Sequence, residues 1–88
     1  MVRNVVRLGD PTTHGGSVIS ASSMTIIEGK PVALIGDLVS CPKQGHGVNK
    51  IIEGAETIFF DGKAVVIDQC LCECGCKVIS TISSAVMG

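Results

Sequence analysis

The chain has 88 residues, seven basic and eight acidic side chains for a formal charge of −1, and is 45% hydrophobic but only 2% aromatic. That length excludes two independent cores, and balanced charge with no run of Lys or Arg, no Tyr and no Trp excludes a nucleic-acid binder of the phosphate-tracking, base-stacking kind. No apolar run is long enough to span a bilayer, and the N-terminus shows no charged region followed by an apolar core and cleavage site, so no signal peptide is expected.

What remains is a light core of Val, Ile, Leu and Ala. Burial is worth roughly 25 cal/mol per Å² against about 1 to 2 kcal/mol per residue for ordering, so a Gly-rich chain of this size needs a staple. Five cysteines are an odd number, and four of them crowd into Cys70 to Cys76. Parity and the missing signal peptide favour metal ligation over a disulfide framework.

In chain order, short runs rich in Val, Ile and Thr, bounded by Gly, Asp and Pro, predict strands near residues 4–8, 17–20, 24–28, 31–35, 50–53, 57–60, 64–67 and 77–82. Glu28-Gly29 and Asp61-Gly62 lie between such runs and predict hairpin turns in which Gly supplies positive φ. No segment shows sustained helical periodicity. The expected fold class is all-β.

The runs belong to an internal repeat. Val5-Val6-Arg7-Leu8-Gly9-Asp10-Pro11-Thr12-Thr13-His14 and Pro31-Val32-Ala33-Leu34-Ile35-Gly36-Asp37-Leu38-Val39-Ser40-Cys41 both carry an apolar run into Gly-Asp, with a metal-capable side chain four residues after the Asp. Glu28-Gly29-Lys30-Pro31-Val32 aligns with Asp61-Gly62-Lys63-Ala64-Val65 at an offset of 33, which sets Cys41 on Cys74 and puts Cys70 where an Asp is expected. His14-Gly15-Gly16-Ser17-Val18-Ile19-Ser20 matches Cys74-Gly75-Cys76-Lys77-Val78-Ile79-Ser80 at an offset of 60. The predicted architecture is three hairpin units wrapped about a narrow apolar axis, their Gly-rich loops gathered at one end.

A repeat that puts a donor at the same place in each unit converges those donors in space. His14, Cys41 and Cys74 become candidate metal ligands. His46 is the fourth, because the loop from Cys41-Pro42 to Gly45-His46 has the length to close a chelate. Two imidazoles and two thiolates suit one tetrahedral zinc ion with no vacant position, hence a structural site. Such binding contributes on the order of 10 kcal/mol at neutral pH in small peptides, comparable to the whole stability of a domain this size.

Cys70, Cys72, Cys74 and Cys76 alternate, so a strand would point all four to one face. Cys72 or Cys76 then competes with Cys74 as ligand, or a pair oxidises outside a reducing compartment. Alternate residues on one strand bridge poorly, so a partner elsewhere is the more natural one. The simplest account of Cys70, Cys72 and Cys76 is that they are small buried apolar residues. Asp10 and Asp37 read as turn residues capping nearby backbone N–H groups rather than as catalytic groups. With no nucleophile and base, no hydrolase motif and no open metal position, an enzyme is not expected.

Gly9-Asp10-Pro11-Thr12-Thr13-His14-Gly15-Gly16, Gly29-Lys30-Pro31-Val32-Ala33-Leu34-Ile35-Gly36-Asp37, Cys41-Pro42-Lys43-Gln44-Gly45-His46-Gly47 and Cys74-Gly75 together resemble the PAAR domain, named for its proline-alanine-alanine-arginine motif. Val32-Ala33-Leu34 stands where that motif has Ala-Ala-Arg, and Arg is retained only at Arg7 in the first pass. The resemblance implies a single cone-shaped β-domain over residues 1–88, without an effector extension, held at its tip by one zinc ion on His14, Cys41, His46 and Cys74. It implies a structural protein that caps and sharpens the trimeric VgrG spike of a bacterial type VI secretion system, one copy per spike trimer, and aids membrane puncture and delivery of effector proteins. It also implies cytoplasmic synthesis and assembly on the secretion apparatus, then translocation out of the cell or into a target cell, with only transient passage through a membrane and no nucleic-acid partner. The competing expectation is a small intracellular zinc-binding module contacting nucleic acid or protein, which the cysteine cluster alone would suggest.

Overall fold

In the computed structural model, which describes residues 4–42 and 47–82, three tight turns set the architecture. Asp10 N donates to Arg7 O at 3.1 Å, Asp37 N to Leu34 O at 2.9 Å and Cys70 N to Ile67 O at 3.2 Å. The third residue of each turn has positive φ: Gly9 at 89°, Gly36 at 90° and Gln69 at 73°. Glycine adopts this conformation freely, whereas Gln69 holds it against the crowding of its own Cβ.

These turns let three equivalent segments bond to one another in a closed cycle. Val6 N donates to Val66 O at 2.9 Å, Val66 N to Ala33 O at 3.0 Å, and Ala33 N to Val6 O at 2.8 Å. The bridges Val5 with Ile67, Arg7 with Val32, and Leu34 with Val65 flank this ring. Further along each repeat a second ring forms, in which Val18 pairs with Val39, Ile51 with Cys72 and Val78 with Thr12. The internal repeat is thus a pseudo-threefold wrap in which each unit satisfies the backbone of the next, so no unit stands without the others.

The regular strands are short: β1 (Ser17–Val18), β2 (Ile26–Ile27), β3 (Lys30–Pro31), β4 (Leu38–Cys41), β5 (Gly47–Lys50), β6 (Phe59–Phe60) and β7 (Lys63–Ala64). All pairings are antiparallel, with β4 between β1 and β5, and with β2–β3 and β6–β7 as separate hairpins. The hairpin turns fall where the sequence predicts them, with Glu28 and Gly29 at φ of 51° and 86°, and Asp61 and Gly62 at 54° and 79°. Two consecutive positive φ values match the twist of a two-residue hairpin. No described residue is helical.

Two expectations change. The strands expected near 4–8, 31–35, 64–67 and 77–82 are in large part isolated bridges, because a three-sided wrap about a narrow axis switches partner every two or three residues. Residues 38–41 and most of 47–50, absent from the expected strands, form the longest strand pair. Val39 there faces Asn49 and Cys41 faces Gly47.

Two apolar clusters lie along the axis. Val6, Ala33, Val66, Val18, Val39, Ile51, Val78, Cys70, Cys72 and Cys76 form the first. Val5, Val32, Leu34, Val65 and Ile82 form the second, with Ile27, Ile58 and Phe60 of the hairpin region packed against them. Asp10 and Asp37 are buried beside the turns they brace: Asp10 Oδ2 accepts from Arg7 N at 2.8 Å and Asp37 Oδ2 from Leu34 N at 2.7 Å. Asp37 also accepts from Ser20 Oγ, Ser22 N and Ser22 Oγ, so its charge is met by fixed donors.

Candidate metal centre

Two of the three donor loops are copies. In residues 12–16, Thr12 N donates to Gly16 O at 3.0 Å and Gly15 N to Thr12 O at 3.2 Å; in residues 72–76, Cys72 N donates to Cys76 O and Gly75 N to Cys72 O, both at 2.9 Å. Gly15 and Gly75 take φ of 86° and 94° at matching places. His14 and Cys74 therefore occupy the same corner of the same loop. The middle repeat is longer: Asp10 to Val18 and Cys70 to Val78 each span eight positions, whereas Asp37 to Ile51 spans fourteen. Cys41 ends β4, and the added residues include the candidate His46, which lies outside the described residues.

His14, Cys41 and Cys74 are brought together, one ligand atom from each lying within 4.8 Å of the others. His14 Nδ1 is 3.4 Å from Cys41 Sγ. On metal bonds of about 2.0 Å to nitrogen and 2.3 Å to sulfur, the N–S edge of a tetrahedron is roughly 3.5 Å, so this spacing fits one small ion. Cys41 is buried, while His14 and Cys74 are partly exposed. A pair of soft sulfurs and an imidazole suits zinc or another borderline-to-soft cation and disfavours magnesium or calcium.

Close packing of backbones holds the three together. A Cβ on Gly16 would lie 1.7 Å from Ser40 O, so the His14 loop reaches Cys41 only because residue 16 has no side chain. Thr12 Oγ1 accepts from Gly16 N at 3.0 Å and tightens that loop. On the Cys74 loop, Cys74 N donates to Asn49 Oδ1 at 3.2 Å, Glu73 N to Lys50 O at 2.9 Å, and Lys50 N to Glu73 Oε1 at 2.9 Å. Thr13 N donates to Lys77 O and Lys77 N to Thr13 Oγ1, linking the His14 and Cys74 loops. Asn49, Gly16 and Thr12 escape a search for ligand types, because they act through backbone geometry. Only the His14-Gly15-Gly16 match to Cys74-Gly75-Cys76 hints that position 16 is special in the first copy.

The cysteine cluster does not lie on one face of a strand. The chain reverses at Gly75, and Leu71 pairs with Lys77 across the reversal. Cys70, Cys72 and Cys76 point into the core at 2%, 0% and 0% exposure, and Cys74 joins His14 and Cys41. The three buried thiols thus match the simple reading of small apolar residues. Burial pushes the Cys72 thiol up, and burial reinforced by Cys74 and Cys72 pushes Cys76 far up. Burial also acts to raise Cys74. Hydrogen bonds from Cys76 backbone and side chain, Cys41 and Asn49 outweigh it, so this thiol sits below its ordinary value. Of these thiols, Cys74 is thereby the one tuned towards the thiolate that a metal takes.

A protein-family model described as the PAAR motif matches residues 8–80, which takes in all but the first residues of the first repeat and all of the candidate donors. A search of curated proteins returned no significant match.

Proposed function

The chain belongs to the PAAR-motif family, and from that membership we propose that it is a structural tip protein, capping the trimeric VgrG-type spike of a type VI secretion system with one copy per trimer. The observation that carries this reading is the closed backbone cycle of Val6, Val66 and Ala33. One chain thereby offers threefold-like geometry to a threefold partner, which a chain without internal repeats cannot do. The hairpins β2–β3 and β6–β7, which pack Ile27 and Phe60 against the second apolar cluster, carry exposed Ile26 and Phe59 at matching repeat positions, 59% and 57% exposed, with Met24 two residues before Ile26 at 86%. Short hairpin strands with exposed apolar side chains suit docking by apolar contact, and strand addition falls to β2 and β6, because Leu8 N already donates to Pro31 O of β3 and Ile35 N to Ala64 O of β7.

At the donor loops, one zinc ion would be held by His14, Cys41, Cys74 and, in this proposal, His46. Bound there, it supplies a structural cross-link among three loops distant in sequence and no vacant position for chemistry, so the protein has no enzymatic role. The corners of these loops, at Thr13 to Gly15 and Glu73 to Gly75, are exposed or half-exposed, and the cross-link keeps them from fraying when the tip meets a membrane. The protein is made in the cytoplasm, assembles on the spike and leaves the cell with it, accompanied by effector proteins.

Mixing with the purified spike trimer tests the reading. Light scattering should give one chain per three spike chains, and elemental analysis one zinc per chain. A three-to-three complex would show that the chain binds the side of each spike subunit and would overturn capping.

A further inference from the structure

Cys76 is a buried thiol in contact with a candidate ligand. Its Sγ lies 3.3 Å from Cys74 Sγ, although the two residues are separated only by Gly75. In an extended strand, residues two apart stand roughly 6.6 Å apart along the chain, too far for their thiols to meet without distortion. Here Gly75, at φ of 94°, folds the chain back and aims both side chains to the same side. Cys76 is fully buried and Cys74 is partly exposed. A reagent from solvent therefore reaches Cys74 first and Cys76 second. The equivalent position in the first repeat is Gly16, which has no thiol, so the pairing is peculiar to the third loop.

We propose that Cys74 and Cys76 form an oxidation site in which a Cys74–Cys76 disulfide withdraws Cys74 from the metal and releases the ion. The inference rests on Cys74 being a ligand for its metal-release half and on geometry alone for its disulfide half. The oxidant is a small-molecule disulfide such as oxidised glutathione. Cys74 sulfur attacks one sulfur of the oxidant, forming a protein–glutathione mixed disulfide and releasing one glutathione thiol. Cys76 sulfur then attacks Cys74 sulfur, forming the protein disulfide and releasing the second glutathione. One disulfide is consumed and one formed, and the two protein thiol hydrogens leave on the two glutathiones. In a reducing compartment the site stays a dithiol and keeps its metal; in an oxidising one the third loop trades its metal cross-link for a local covalent one.

The test incubates the zinc-loaded protein, and separately the metal-free protein, with excess oxidised glutathione. Both should lose two hydrogens in mass without a retained adduct, with peptide mapping after alkylation placing the bond between Cys74 and Cys76. The loaded protein should release one equivalent of zinc to a colorimetric chelator in step with the mass change. Cys76→Ser should keep its zinc in reducing buffer and accumulate a glutathione adduct at Cys74 in place of the internal disulfide; Cys76→Ala serves if the serine variant fails to fold. A disulfide that maps to any other pair, or no disulfide in either form, overturns the proposal. Disulfide formation in the metal-free protein with no zinc bound by the starting material would leave the oxidation pair standing and refute the zinc site instead.

Discussion

Gly16 and the carbonyl of Ser40 are packed so closely that a methyl group on Gly16 would sit 1.7 Å from Ser40 O and 2.7 Å from its carbon. No relaxation of a flexible side chain relieves that contact, because both atoms belong to the backbone that pairs β1 with β4 through Ser17 and Ser40. Gly16→Ala should therefore cost about 3 kcal/mol and weaken metal binding, since the His14 loop must lift away from Cys41. Gly62→Ala is the contrast: nothing lies within 4 Å of its added Cβ, and only the positive φ of 79° opposes it. Its cost should be about 1 kcal/mol, with metal affinity unchanged. Urea denaturation and zinc competition titrations on both variants check the difference.

The third turn departs from the other two in sequence but not in shape. Gln69 at φ 73° stands where Gly9 and Gly36 stand. Gln69→Gly should stabilise the protein by roughly 0.5 to 1 kcal/mol, the relieved Cβ crowding exceeding the added freedom of the unfolded chain. A lower denaturation midpoint for this variant would mean that its side chain has a role beyond the turn.

With an ion on His14, Cys41 and Cys74, its removal should lower the melting temperature of the chain sharply, because the cross-link would tie together segments far apart in the sequence. His14→Ala, Cys41→Ala and Cys74→Ala should each abolish stoichiometric zinc binding, and chelator should then have no further effect on their melting. Cys70→Ala, within the core at 2% exposure, should bind zinc normally while losing about 1 to 2 kcal/mol of stability. Differential scanning calorimetry with and without chelator separates the two classes.

The metal-free protein should also respond to alkali. Cys72 and Cys76 are held above the ordinary thiol value of 9.0, so their stabilisation is complete below that value and is lost as pH climbs through their folded values, the unfolded chain ionising first. Cys74 has the opposite sign: its lowered value adds stability above the ordinary range, lost as pH falls through its folded value. Above the ordinary value the contribution of Cys74 is already complete and only the raised thiols still titrate, so the urea midpoint should fall as pH climbs above about 9. Cys74→Ser should leave the fall above about pH 9 in place while removing the pH dependence below it; a flat profile above about pH 9 would contradict the burial of Cys72 and Cys76.

At the hairpin end, Phe59→Asp should leave stability within about 0.5 kcal/mol, because the ring is 57% exposed, yet remove binding to the spike trimer in a pull-down. Unchanged capture would move the docking surface elsewhere.

Sequence alone was enough for the all-β class, the two hairpin turns and the threefold repeat, because each rests on local chemistry: Gly at positive φ, Asp beside a turn N–H, short β-branched runs. The repeat also singled out His14, Cys41 and Cys74, since equal places in equal units must meet about an axis. Which thiol of the Cys70–Cys76 run turns outward was beyond it, because alternation assumes an extended strand and the reversal at Gly75 is made by pairing Leu71 with Lys77. The strand pair β4–β5 was hidden for a related reason, as its register depends on partners across the longer middle loop and on contact with β1. The closed cycle of Val6, Val66 and Ala33 belongs wholly to the tertiary structure, because each bond joins residues at least 27 positions apart and none of the three can form until the chain has wrapped round to meet itself.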